Sequence, residues 1–317
     1  MTEHEPMTAT GMEPSALEAP ATREVGRPGR AGLLRLTGVT LALGGWVFGA
    51  GVLLYLIARD GGLAVGIDLA AYLRAGDDLV AGNPVYIGEI GNPSVFSYAP
   101  PWAVLFGALS WVPDMIMQLG MVTLSLLAIR YVAGSWLWSG LVFWYPVSTM
   151  VIHSANIEFL IAAAIVLAAR GHAGPLAFTA LAKIAPIFAV PRSGWREAAL
   201  VIGVALLVTL PWLHLWPEWI EHLLRQPTTI YIHIGPPWYV RLPFALALLL
   251  VRRPWASALA VVVAMPSLWF GTLVILIAAV RLWSDGRPRS RVSTTPRSGN
   301  AWRWASRESG RPGSGSG

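Results

Sequence analysis

Apolar runs return ten times between Leu33 and Trp283, and most are too short to cross a bilayer as one helix. They lie at roughly 32–58, 99–112, 114–133, 135–151, 156–170, 173–191, 197–215, 240–251, 255–265 and 268–282. A straight crossing takes ~20 apolar residues to span ~30 Å of hydrocarbon. Shorter or Pro-broken pieces survive in lipid only where protein or a water-filled cavity covers the backbone groups they free. The pattern therefore predicts an all-α, polytopic membrane protein of about ten transmembrane helices, with a cavity opening toward one face. Composition agrees, at 55% apolar and 13% charged residues with a mean hydropathy of +0.57. The 16 Trp and 8 Tyr suit a chain with many anchors at the headgroup level. With no cysteine, thiolate nucleophiles, disulfides and Cys-based metal sites are excluded.

Three regions follow. Residues 1–31 are polar and Pro-rich without periodicity, and read as a disordered cytoplasmic tail. Residues 32–283 form the integral membrane domain, and 284–317 are a second disordered, Arg/Ser/Gly-rich cytoplasmic tail. The net charge of +6 lies mostly in loops and tails, where arginine fixes topology and meets membrane lipids. No folded basic face with interleaved aromatics points to nucleic acid. With the amino terminus inside, the arginines of both tails and of the 192–196 and 252–253 turns share one side. Arg59, Arg74, Arg130, Arg170, Arg225 and Arg241 fall on the other. That bias makes a multi-pass protein of the cell membrane with both termini cytoplasmic, and puts the 59–98 and 216–239 loops on the outer face. Segment 135–172 is open to a re-entrant reading, which would change the side of His153 and Asn156.

The longest polar interruption, Ile67 to Trp102, carries Asp68, Asp77, Asp78 and Glu89. On a helical wheel Leu69, Tyr72, Leu73, Gly76, Leu79 and Val80 share one arc opposite Arg74, Asp77 and Asp78. This predicts an amphipathic periplasmic helix resting on the membrane surface, ended by Gly82-Asn83-Pro84. Asp68 opens it, as an N-cap, as a catalytic base, or as both. Asp77 and Asp78 suit a solvated face or a divalent cation, and the solvated face is preferred, so no metal is assigned. Trp216 to Arg225 predicts a second interfacial helix, followed by a Pro-rich stretch bearing His233 and Arg241.

Lys183 is the only lysine and sits inside an apolar run. An intramembrane ammonium needs a cavity, a partner or an interface; a lipid-linked phosphate and Glu158 are both available counter-charges. His153, Ser154 and Asn156 form a polar cluster that suits a capping turn or a site. Walker loops, GxGxxG, HExxH and GxSxG are missing. An outer-face site also lies away from cytoplasmic nucleotides, so no cofactor is expected.

Asp68-Leu69-x-x-Tyr72, then Gly82-Asn83-Pro84-x-Tyr86, then Phe96-x-Tyr98-x-Pro100-Pro101 resembles the polyprenyl-phosphate mannosyltransferases of glycosyltransferase family 87. Lys183-Ile-Ala-Pro186 looks like that family's central Lys-x-x-Pro, and Pro266-Ser-Leu-Trp269 like its late Pro-x-x-Trp. The family's Gly-Gln-x-Asn stands here as His153-Ser154-Ala155-Asn156. A histidine that often follows the late motif is absent.

The resemblance spans roughly 35–285 and implies a GT-C fold. It also implies inverting transfer of a hexose, mannose above others, from a polyprenyl-phosphate donor to a glycolipid or polysaccharide acceptor. It maps the catalytic base onto Asp68. Lys183, His233 and Arg241 are then available for the donor phosphate, and Tyr72, Tyr86, Tyr98, Asn156 and Trp269 for the sugar and acceptor. Two rival readings are a multi-pass lipid or solute transporter and an inactive scaffold of envelope synthesis.

Overall fold

The computed structural model describes residues 30–62, 64–88, 95–224, 234–266 and 268–286, and these contain helices but no strand. Both predicted tails, apart from a few residues at their inner ends, and also Glu89 and His233 lie outside them. The described chain starts with α1 (Arg30–Arg59), an apolar helix without a charged residue between Arg35 and Arg59 and followed by a Gly-Gly turn. Next come α2 (Ile67–Ala81), α3 (Pro100–Ala108) and α4 (Asp114–Ala133). The 135–151 run breaks into α5 (Trp136–Ser139), a 3-10 turn (Gly140–Trp144) and α6 (Pro146–His153). After them follow α7 (Glu158–Ala169), α8 (Gly174–Ala182), α9 (Trp195–Val208) and α10 (Leu215–Leu224). The described chain ends with α11 (Trp238–Leu250), α12 (Pro254–Ala264) and α13 (Leu276–Asp285).

Among the described residues two helices are long and apolar enough to cross a membrane, residues Gly32–Arg59 of α1 and all of α4. A third crossing exists if α6 and α7, bent by 100° at their junction, count as one. Much of α1 and α4 faces outward: Leu33, Leu36, Val47 and Leu54 on one, Ile116, Leu119 and Leu127 on the other, are exposed apolar side chains. Such a surface suits lipid and would be a liability in water. The inner face of α1 packs on 136–144 through small residues. A Cβ on Gly45 would stand 1.9 Å from the Gly140 carbonyl oxygen, and one on Gly140 the same distance from that of Ala42. Indole N–H groups stitch the seam, Trp46 to the Trp136 carbonyl and Trp144 to that of Leu41, each at 2.8 Å. Close backbone approach with few large side chains is how helices associate without a hydrophobic driving force.

Of the ten crossings expected, the described residues show two, or three with the bent pair, that have the length and apolarity of a crossing. Nine residues of α3 rise only ~13 Å, between Pro100-Pro101 and Pro113. Ala99 N–H donates to the Leu181 carbonyl at 2.9 Å, near the end of α8. Past the other end of α3, Gln118 of α4 meets Gly66. Segment 99–112 therefore dips and returns. Segment 173–191 does the same. The Ala173 N–H donates to Glu197 of α9 at 2.7 Å, so the start of α8 and the start of α9 lie together, with Lys183 at the hairpin's inner tip.

These contacts give the bundle two ends. At one, Arg170 donates to Asp285 and to the Tyr131 hydroxyl, and Arg281 lies against Gly134 and pairs with Asp285. Arg252 and Arg253 belong here too, because Trp255 beside them shares a groove with Ala279, Val280 and Trp283. Arg130 and Arg170 thus sit with the other arginines, where the loop count set them opposite. The reason is direction: α4 starts by Gly66 and α7 by Lys183, and both end at the Arg281–Asp285 cluster, opposite to the direction that ten alternating crossings give them. The other end holds Asp60, Gly66, His153 and Lys183.

Candidate functional site

The α2 helix begins at Gly66, whose φ and ψ are extended, and ends on left-handed Gly82. Its apolar arc is buried as the wheel anticipates, Leu69, Tyr72, Leu73, Gly76 and Leu79 inside and Val80 outside. That arc packs on protein and not on lipid: Tyr72 lies 5.2 Å from the Phe106 ring of α3. Asp68 is not the N-cap. It sits in the first turn, half-buried, and faces the loop between α6 and α7.

That loop, His153-Ser154-Ala155-Asn156-Ile157, turns through left-handed Ala155 at φ 59°, a conformation a non-glycine residue holds only when its surroundings enforce it. Ser154 and Asn156 lie beside the Asp68 carboxylate, and the Leu69 N–H donates to the Ser154 carbonyl at 3.3 Å. Burial raises the Asp68 pKa above the usual carboxylate value, and the charge of Glu158 adds to it. The polar side chains of Ser154 and Asn156 and the charge of Lys183 oppose that rise without cancelling it.

Behind Asp68 lies a buried ion pair. Lys183, the C-cap of α8, donates to Glu158, whose side chain is completely buried at the start of α7. Asn156 is a second, longer acceptor for Lys183 at 3.5 Å. Trp269 donates its indole N–H to the same Glu158 oxygen at 3.0 Å, while Oε2 is buried with no hydrogen-bond partner. On the opposite flank the Tyr72 and Tyr98 hydroxyls are 2.8 Å apart. Burial lifts both phenols well above their ordinary pKa, so both stay protonated. Tyr86 holds the Tyr98 carbonyl at 2.9 Å and lies against His222 of α10. From α10, Trp219 reaches the Ser97 carbonyl at 3.0 Å, so this helix roofs the Tyr98 strand of the loop.

Six of the sequence-picked residues thus meet: Asp68, Tyr72, Tyr98, Asn156, Lys183 and Trp269. Tyr86 stands one layer out. Arg241 does not join them. Its guanidinium donates to the carbonyls of Pro236, Val263, Met265 and Pro266, tying off the end of α12. Asp77 is exposed, and Asp78 accepts a bond from Asn83. Among the described residues no three His, Cys, Asp or Glu side chains come together as a metal site. Gln118 went unassigned in the sequence, and Glu158 was named there only as a counter-charge for Lys183, a pair that the structure forms. A carboxylate and an amide inside apolar runs were the signal.

Comparison with known proteins finds no match: no family model, curated protein or solved structure is similar to the chain.

Proposed function

We propose that this protein is a membrane glycosyltransferase of GT-C type that works at the end of the bundle opposite the Arg170–Asp285 cluster. In this reading the short helices complete the bilayer-embedded body around α1 and α4, both termini are cytoplasmic, and Asp68 faces the outer side. The donor is a polyprenyl-phosphate hexose, mannose by resemblance to family 87, and the acceptor is a hydroxyl of a cell-envelope glycolipid or polysaccharide. The observation that carries the reading is Asp68 itself, a half-buried carboxylate flanked by Ser154 and Asn156 with a raised pKa. A base whose pKa moves toward the working pH suits proton abstraction, which contributes ~10²–10⁴-fold in rate.

Asp68 takes the acceptor's hydroxyl proton as its oxygen attacks the anomeric carbon. The carbon–oxygen bond to phosphate breaks on the opposite face, with inversion, and polyprenyl phosphate leaves with the bonding pair. Lys183 supplies positive charge near that phosphate, shared with Glu158. Tyr72, Tyr98, Asn156 and Trp269 offer hydrogen bonds to sugar hydroxyls. The test is transfer from labelled polyprenyl-phosphate mannose in membranes, with the product identified by mass. Asp68→Asn should lose at least a hundredfold in rate at normal expression; near-normal transfer removes Asp68 as the base.

One observation favours a second reading. A buried ion pair at the tip of a hairpin, beside a helix pair broken by 100°, suits a transporter whose discontinuous helices form the binding site. Gradient-driven uptake into proteoliposomes with no covalent product would establish it in place of the transferase.

A further inference from the structure

We propose that Gln118 is the positioning residue of the Asp68 site, a neutral two-ended clamp that sets where the Asp68 carboxylate stands. This rests on Asp68 being the centre of the site, as read above, and adds a residue outside that constellation.

Gln118 lies in the second turn of α4 with 6% of its surface exposed. Its Oε1 accepts from the Gly66 N–H at 3.0 Å, and its Nε2 donates to the His153 carbonyl at 3.0 Å. The Gly66 N–H belongs to the residue that starts α2, and the His153 carbonyl to the last residue of α6. Groups at helix ends have no partner within their own helix and must find one elsewhere. One amide serves both, and so fixes the first turn of α2 against the loop carrying Ser154 and Asn156. Gly66 makes the fit close: a Cβ there would stand 2.4 Å from the His153 carbonyl oxygen. Asp68 is two residues from one clamped point, Ser154 one residue from the other.

Only a side chain offering an acceptor and a donor at this length fills both roles. Glutamate keeps the acceptor, loses the donor and places a like charge beside Asp68. Methionine keeps the volume and leaves two inward-facing backbone groups without partners. The charged and titratable groups already facing Asp68 are Glu158 and Lys183 behind it and Tyr72 and Tyr98 beside it. Asp60, bonded to His153 at 2.9 Å, stands beyond the loop.

The experiment reads Asp68 directly. Purified protein in detergent is treated with a carbodiimide and an amine across pH 4–9, and modification of the Asp68 peptide is followed by mass spectrometry. In Gln118→Glu the pH at which labelling falls to half should rise by roughly one unit, as a new like charge demands. In Gln118→Met the Asp68 labelling rate at neutral pH should change at least threefold, while Asp77 labelling stays fixed. Superimposable Asp68 titrations in wild type and Gln118→Glu overturn the proposal, whether or not the methionine variant folds. Sugar transfer is measured in parallel on the same preparations. A wild-type protein that transfers no sugar removes the glycosyltransferase reading and leaves the clamp to be decided by the titration alone.

Discussion

At the arginine end of the bundle, Arg170 and Arg281 share Asp285 at 3.2 Å with side chains about 29–39% exposed. At the other end, Lys183 pairs with a Glu158 that has no exposed surface. The chemistry is the same and the settings are opposite. The first group stands where α7 and α13 run out to their natural ends, so water and headgroups share its charge. The second stands where α8 and the bent α6–α7 pair stop short inside the protein. Exposed pairs contribute ~0–1 kcal/mol, whereas removing one partner of a buried pair costs ~3–5 kcal/mol. One end is tied loosely, by pairs that share their charge with the surroundings. The other is tied tightly around the only part of the molecule where a carboxylate, an amide and a lysine converge.

The comparison breaks most easily at Lys183. Lys183→Met should lower stability by ~3–5 kcal/mol, seen as an earlier thermal transition in detergent, by leaving Glu158 buried without its cation. Lys183→Met with Glu158→Leu should recover much of the loss; a single variant as stable as wild type would dissolve the contrast between the ends.

Asp68 sharpens it through pH. Its folded pKa is raised, so the native state holds a proton that the unfolded chain releases near pH ~4. Stability then falls as pH rises from ~4 through the folded value and is level above it. Asp68→Asn should lack that slope, and parallel pH–stability curves for the two proteins would contradict it.

Asp60 has the opposite sign. Arg59 and His153 hold its pKa down to about 2. Its contribution is present above pH ~4 and disappears as pH falls toward 2, so Asp60→Asn should cost a small amount of stability at neutral pH and lack the acid-side decline. Smallest of all, Arg170→Ala should change stability by no more than ~1 kcal/mol, and by less still in high salt. A larger loss would mean that the arginine end is not the loose one.

Much of this was legible from residues. The limits of α1 and α4 follow from apolar length, and the inward face of α2 from its period. Asp68, Asn156 and Lys183 stood out as polar groups in or beside apolar runs and Trp269 through the resemblance, and the structure brings them together. Direction was not legible. Pro100-Pro101 and Lys183-Ile-Ala-Pro186 mark where helices stop, yet a stop reads alike whether the chain continues across or turns back. Partner choice was hidden for the same reason. Gln118 lies 52 residues from Gly66 and 35 from His153, and an amide in an apolar helix does not reveal which distant backbone group it serves.

The hairpin that carries Lys183 has a further consequence, for how the protein is made. Nine residues of α8, closed by a lysine, are too short and too polar at the tip to enter a bilayer as an independently recognised segment. In the membrane-embedded reading proposed above they enter only against neighbours already in place, chiefly α7, which is synthesised first and brings Glu158 with it. The order of synthesis is then also the order in which charge can be buried: the acid is waiting before the base arrives.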